Sequence, residues 1–140
     1  MNNVTGHGNT VYGQNIMTLN LDGFLNTAVG SNTLQQTNGN QNTVVGGYNM
    51  YYSQTGDKNT AIGYAALFST DGVGEQTAVG AESLMYTTTG AQNSALGYRS
   101  LYSNTTGIRN TAVGHSSSYS NTIGGNNTSL GFYSLYNNID

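Results

Sequence analysis

The sequence predicts an all-β protein, a β-solenoid in the form of a narrow β-roll built from about eight short coils. Two observations carry this prediction. A motif of the form Asn-Thr-small-aliphatic-Gly recurs about every 17 residues, and its fifth position is glycine in every copy. A 17-residue unit with a fixed glycine and an Asn-Thr pair is too short, and too poor in helix formers, for a pair of helices. Regular self-similarity on this scale is typical of stacked-repeat folds.

The repeats define one array over residues 1–140, in which we number the first residue of each motif as position 1. Every spacing between motif starts is 17 residues except one of 16. Because the array starts and stops inside a repeat, we expect it to be a segment of a longer fibre. The motifs start at residues 9, 26, 42, 59, 76, 93, 110 and 127.

The position-5 glycines are expected to form a sharp turn after a short strand, because glycine tolerates backbone angles that other residues avoid. Positions 2–5 are β-branched or small, which predicts this first strand, and positions 8–10 predict a second. The remaining positions are a polar turn of Asn, Thr and Gly. The turn glycines are Gly13, Gly30, Gly46, Gly63, Gly80, Gly97, Gly114 and Gly131.

Strand alternation puts positions 2 and 4 on one face and positions 1, 3 and 5 on the other. We expect position 4 to point inward because it carries the bulk, and position 9 to pack with it. In the alternative, the Asn/Ala/Gly face fills the interior and a Thr/aliphatic stripe faces outward. The predicted core residues are Val29, Val45, Ile62, Val79, Leu96, Val113 and Leu130 at position 4, with Leu34, Leu67, Leu84, Leu101 and Leu135 at position 9.

Stacking in register would place each asparagine of position 1 over the next. We therefore expect these side chains to hydrogen-bond to one another in a ladder, since an amide both donates and accepts.

The composition excludes several function classes. Charged residues are 6% of the chain, the net charge is −3, and there is no cysteine, so a basic nucleic-acid surface and a disulfide framework are excluded. No apolar run is long enough to insert into a membrane. The acidic residues do not recur with the repeat, and His7 and His115 are isolated. We therefore expect no catalytic residues, no metal site and no cofactor, and predict that the chain is not an enzyme.

The motif Asn93-Ser94-Ala95-Leu96-Gly97 resembles the head repeats of trimeric autotransporter adhesins of the YadA type. The longer motif that starts at Asn59 and runs to Leu67 is similar to repeats of phage and viral tail fibres. The resemblance implies a left-handed coil, packing of the chains side by side as a homotrimer, and a place outside the cell, on a virion or cell surface. It implies a stiff rod for attachment to a host or surface.

Aromatic residues recur at position 10, where they form a candidate surface for a host glycan or protein, since tyrosine combines an apolar face with a polar tip. A packing ladder is the competing interpretation. Position 6 adds further aromatic residues, such as Tyr64 and Tyr98. The position-10 residues are Tyr51, Phe68, Tyr102, Tyr119 and Tyr136.

Two other functions compete with the fibre hypothesis. The segments 2–6 and 9–13 resemble the repeats of plant-type β-roll antifreeze proteins, and a regular threonine column would suit a monomeric ice-binding β-roll. A self-assembling extracellular filament subunit that stacks end to end is the third possibility, because unpaired strand edges recruit further strands.

Overall fold

A computed structural model describes residues 5–35 and 38–140 and confirms the all-β solenoid. Eight parallel strands form one sheet in sequence order, and no helix occurs in these ranges. The antifreeze-like segment 2–6 lies largely outside the described residues. The strands are β1 (Thr10–Gln14), β2 (Thr27–Ser31), β3 (Thr43–Gly47), β4 (Thr60–Tyr64), β5 (Thr77–Val79), β6 (Ser94–Leu96), β7 (Thr111–Val113) and β8 (Thr128–Leu130).

Equivalent residues of successive repeats lie directly over one another. Thr43 pairs with Thr60 and Thr60 with Thr77, so each strand continues the same register as the strand before it. We call the successive turns of the chain coils 1 to 8, each starting at position 1 of its repeat. Neighbouring strands in a sheet lie about 4.8 Å apart, so eight strands span about 34 Å.

The position-5 glycines allow this close stacking for two reasons. Gly97 has a φ of 138°, which side-chain-bearing residues rarely adopt. A Cβ atom placed on Gly97 would also lie only 2.5 Å from the carbonyl oxygen of Gly114 in the next coil. The column therefore needs glycine both for its backbone angle and for the close approach of the neighbouring backbone.

The prediction that position 4 fills the core is wrong. Position 3 and the asparagine of position 1 point inward, and position 4 points outward with threonine at position 2. Ile62 and Leu96 are 37% and 49% exposed, whereas Ala61 and Ala95, the residues directly before them, are buried. The other position-4 residues predicted as core are also partly or largely exposed: Val29, Val45, Val79, Val113 and Leu130.

The core is one side-chain layer thick. Position 9 fills it from the wall opposite the sheet, which leaves room for only a small side chain at position 3. The burial of apolar surface between these two walls stabilises the stack. Leu135, in coil 8, is 45% exposed and does not join this core. The position-9 leucines with no exposed surface are Leu34, Leu67, Leu84 and Leu101.

The prediction of a second strand at positions 8–10 is wrong, because no described coil has strand geometry there and the segment consists mainly of turns. Positions 7 and 9 have left-handed backbone angles, as in Arg99 and Leu101, with φ values of 53° and 50°. The backbone still bonds from coil to coil, since Leu84 N–H donates to the Ser100 carbonyl at 3.0 Å. The wall opposite the sheet is thus hydrogen-bonded between coils without strand geometry.

The asparagines of position 1 do not pair amide to amide as predicted. The Asn42 Oδ1 atom accepts a hydrogen bond from the Asn59 backbone N–H at 2.8 Å. The Asn42 Nδ2 atom donates to the Gly56 carbonyl at 2.8 Å. Asn59 repeats both contacts on its own neighbours. Each buried amide therefore satisfies two backbone groups of the polar turn and the next coil, which allows polar residues inside so thin a core.

Candidate binding faces

We call the outward side chains of positions 2, 4 and 6 the strand face. Position 2 carries threonine in seven coils and serine, Ser94, in coil 6, and none of these side chains is buried. Position 4 adds a partly or largely exposed aliphatic residue, or Tyr12 in coil 1. No Asp, Glu, Lys or Arg occurs at positions 2, 4 or 6. An uncharged, partly apolar face of this extent is typical of a surface that meets a partner.

The predicted aromatic residues of position 10 are each half-buried and form two stacked groups, because position 10 of coil 5 is not aromatic. We call the group of three in coils 6 to 8, with the rings that contact it, the aromatic ladder. Tyr102 and Tyr119 stack with ring centroids 4.9 Å apart, and Tyr119 and Tyr136 follow at 5.0 Å. Tyr51 and Phe68 form a separate stacked pair at 5.7 Å. Because the rings cover one another's faces, the column offers ring edges and hydroxyl groups to solvent rather than open faces.

Residues that the sequence interpretation passed over extend the aromatic ladder. Tyr86, at position 11, meets the Tyr102 ring edge to face at 5.0 Å. Tyr133, at position 7, stacks on Tyr136 at 4.6 Å. The sequence showed that both residues are aromatic and lie within three positions of the predicted column. It did not show their contacts, because positions 7 and 9 have left-handed backbone angles, and spacing alone does not predict that this segment brings position 7 against position 10.

A charged pair joins this ladder at coils 5 and 6. The Arg99 guanidinium binds the Glu82 carboxylate at 2.6 Å and lies 4.9 Å from the Tyr98 ring centroid and 5.3 Å from the Tyr102 centroid. The hydrogen bond to Glu82 raises the pKa of Arg99. Such a cation over two rings favours a fixed side-chain arrangement at this point of the surface.

Two hydroxyl groups of the aromatic ladder have raised pKa values. The Tyr86 hydroxyl, as a hydrogen-bond partner, and burial together raise the pKa of Tyr102 to about 12. Burial also raises the pKa of Tyr119. Both side chains are therefore neutral throughout the physiological range.

The described residues contain no cluster of three or more His, Cys, Asp or Glu side chains that could hold a metal ion. His115 lies among Tyr98, Phe132 and Tyr133, with ring centroids 5.0 to 5.6 Å away, which places it in an aromatic cluster. Within the same ranges, no helix is long and apolar enough to cross a membrane.

Comparisons with protein-family models, with curated proteins and with solved structures found no match to this chain.

Proposed function

We propose that this chain is a structural and adhesive segment of a surface fibre, of the kind found in phage or viral tail fibres and bacterial surface adhesins. The observation that carries the proposal is the unbroken register of all eight strands, which makes the array one continuous ladder of hydrogen bonds. In this role the protein works mechanically, as a stiff rod that holds an attachment surface away from the particle or cell.

Three features support stiffness. The sheet, the asparagine bridges and the aromatic ladder all run along the same axis, so bending the rod strains contacts in each of them. The buried residues of successive coils form one continuous core cluster, as expected when a repeat array resists local opening.

The surface chemistry supports association with other molecules. The strand face is uncharged and partly apolar, and a homotrimer outside the cell is the assembly that the resemblance implies. The aromatic ladder provides hydroxyl groups and ring edges for a host glycan or protein.

Small-angle X-ray scattering tests the rod. The expected result is an elongated particle whose maximum dimension grows by about 4.8 Å for each coil added to the array. A compact particle whose dimensions do not follow the coil number would contradict the proposed role.

A glycan microarray probed with the labelled chain tests the adhesive part. We expect binding that is lost in the double variant Tyr102→Ser/Tyr119→Ser and retained in Tyr12→Ser, which alters an exposed tyrosine outside the ladder. Equal binding by both variants would show that the ladder is not the attachment surface.

Ice binding is the second candidate, favoured by the outward direction of the threonine column. Seven threonines at one strand position form a regular row of hydroxyl and methyl groups, spaced by the strand separation. Thermal hysteresis measures this activity directly. Under this hypothesis Thr60→Tyr and Thr77→Tyr abolish hysteresis while the chain stays folded. No hysteresis in the unaltered chain at millimolar concentration would exclude it.

A further inference from the structure

The strand face is corrugated with a period of two coils. At position 4, valine alternates with a larger residue from coil 3 to coil 8: Val45, Ile62, Val79, Leu96, Val113 and Leu130. Position 6 alternates in phase over coils 3 to 6, where Tyr64 and Tyr98 follow Gly47 and Ala81, but coils 7 and 8 both carry a ring, His115 and Phe132. Coils 4, 6 and 8 therefore form ridges, coils 3 and 5 form troughs at both positions, and coil 7 forms a trough at position 4 alone.

Crowding within one chain does not explain this alternation. Tyr102, Tyr119 and Tyr136 occupy three consecutive coils of the position-10 column and stack at 4.9 and 5.0 Å. Rings on adjacent coils are therefore compatible with the coil spacing. The inward position 3 shows no such alternation, since Ala61, Ala78, Ala95 and Ala112 follow one another. The two-coil period is confined to the outward face.

We propose that the strand face packs against the same face of a second copy in antiparallel orientation, with the ridges of one copy in the troughs of the other. A twofold axis along the strand direction, between coils 5 and 6, places coil 5 opposite coil 6, coil 4 opposite coil 7 and coil 3 opposite coil 8. Every ridge then meets a trough at position 4, and at position 6 Tyr98 meets Ala81 and Phe132 meets Gly47, while Tyr64 meets the ring of His115. This isologous contact closes on itself as a dimer.

Parallel chains fit less well through this face. In register they place ridge against ridge and trough against trough. Shifted by one coil they match, but that contact is heterologous and does not close. The antiparallel twofold arrangement alone gives both complementarity and closure.

The chemistry of the face fits this partner. Pairing buries no carboxylate, ammonium or guanidinium group, because positions 2, 4 and 6 carry none. The one imidazole of the face, His115, lies against the rings of Tyr98 and Phe132. Coils 3 to 8 cover about 29 Å along the stack, at about 4.8 Å per strand, and about 16 Å along the strands, at about 3.3 Å per residue. This corresponds to roughly 900 Å² of projected area for both copies together. Corrugation raises this area toward the roughly 1,000 Å² that specific interfaces need. We expect a dimer with a dissociation constant in the micromolar range.

Sedimentation velocity over a concentration series tests the pairing, using the full chain. Val79→Leu/Ala81→Tyr fills the trough of coil 5, and Leu96→Val/Tyr98→Ala flattens the ridge of coil 6. Each pair is expected to weaken dimerisation by at least tenfold. The combined four-residue variant exchanges ridge and trough across the axis and is expected to return within threefold of the unaltered chain. Each introduced residue already occupies the same position in an adjacent coil, and circular dichroism verifies the fold.

The outcomes separate this inference from the proposed function, on which it rests only for the rod. An unaltered chain that stays monomeric at several hundred micromolar overturns the pairing, as does a four-residue variant no tighter than the two-residue ones. A trimer overturns the antiparallel arrangement while agreeing with a side-by-side fibre. Scattering from a compact particle overturns the rod itself, whatever the oligomeric state.

Discussion

The buried Asn59 side chain joins two levels of the stack. Its Oδ1 atom accepts from the Gln76 N–H at 3.0 Å and its Nδ2 atom donates to the Val73 carbonyl at 2.9 Å. Asn59→Ala leaves both backbone groups unsatisfied in the interior, at about 1–3 kcal/mol each. We expect the free energy of unfolding in urea to fall by about 3 kcal/mol.

The matched control is Asn59→Gln, because Gln76 occupies the same position and bridges Asn93 N–H and the Gly90 carbonyl. This variant is expected to lose no more than about 1 kcal/mol, since the bridge is retained. If glutamine costs as much as alanine, the side chain is retained for packing and not for its two hydrogen bonds.

Two glycines separate the effect of backbone angle from that of close approach. A Cβ on Gly97 would lie 2.5 Å from the Gly114 carbonyl oxygen, whereas one on Gly131 meets nothing within 4 Å, although both residues have positive φ. We expect Gly131→Ala to cost about 1–3 kcal/mol through its backbone angle alone. Gly97→Ala is expected to cost clearly more, because the next coil must also move. Urea unfolding of both variants measures the two losses in free energy of unfolding. Equal losses would show that the backbone angle alone explains the need for glycine.

At the scale of single elements, the repeat period predicted the strands and the turn glycines, because stacking forces equivalent residues into columns. It did not predict which face of each strand points into the core. Alternation allows either face, and the larger side chains of position 4 favoured the wrong one. The large side chains of the core come instead from Leu67 and its equivalents on the opposite wall. The better signal was side-chain size, since position 3 holds only Ala, Val or Ser, whereas position 4 reaches leucine and, in Tyr12, tyrosine. A thin interior that is filled from the opposite wall accepts only a small side chain from the strand.

The turn at positions 8–10 was mistaken for a strand for a related reason. Leu67 and Leu101 have φ values of 51° and 50°, which cost a leucine about 1 kcal/mol or more relative to ordinary angles. Propensity therefore argues against the observed conformation. Tertiary packing overrides it, because this angle points each leucine into the core, where it is fully buried. The same turn brings Tyr86 and Tyr102 together, which spacing could not predict.

The aromatic ladder predicts an alkaline transition. The pKa of Tyr102 is about 12 in the folded chain against an ordinary value of 10.0, so the neutral form is favoured by folding. This stabilisation is complete below pH 10 and is lost as the pH rises from 10 to 12. We expect the stability difference between the unaltered chain and Tyr102→Phe to shrink over that interval, as measured by urea unfolding at several pH values. A difference that stays constant to pH 12 would contradict the raised pKa.

At the scale of the whole molecule, the array tolerates a change of coil length outside its strands. Coil 2 has 16 residues, yet Thr27 pairs with Thr43 in the same register in which Thr10 pairs with Thr27. The difference is absorbed between the strands, where the chain turns. The register of the strands therefore stays constant from coil to coil, and we expect the fold to accept a deletion that keeps this register.

Removal of one complete coil follows from this property. Deletion of residues 76–92 joins Glu75 to Asn93, so a position-17 residue still precedes a position-1 asparagine. Stability in such arrays is a sum over neighbouring contacts, and loss of one of seven strand pairings predicts a folded chain with about a seventh less free energy of unfolding. The dependence of that free energy on urea concentration falls in proportion to the surface exposed on unfolding.

Deletion of residues 76–83 alone puts Leu84 where Gln76 stood, which places an apolar side chain at the position whose amide bridges two backbone groups. That chain is expected to lose the sheet beyond coil 4, and a urea transition as cooperative as that of the whole-coil deletion would refute the dependence on strand alignment.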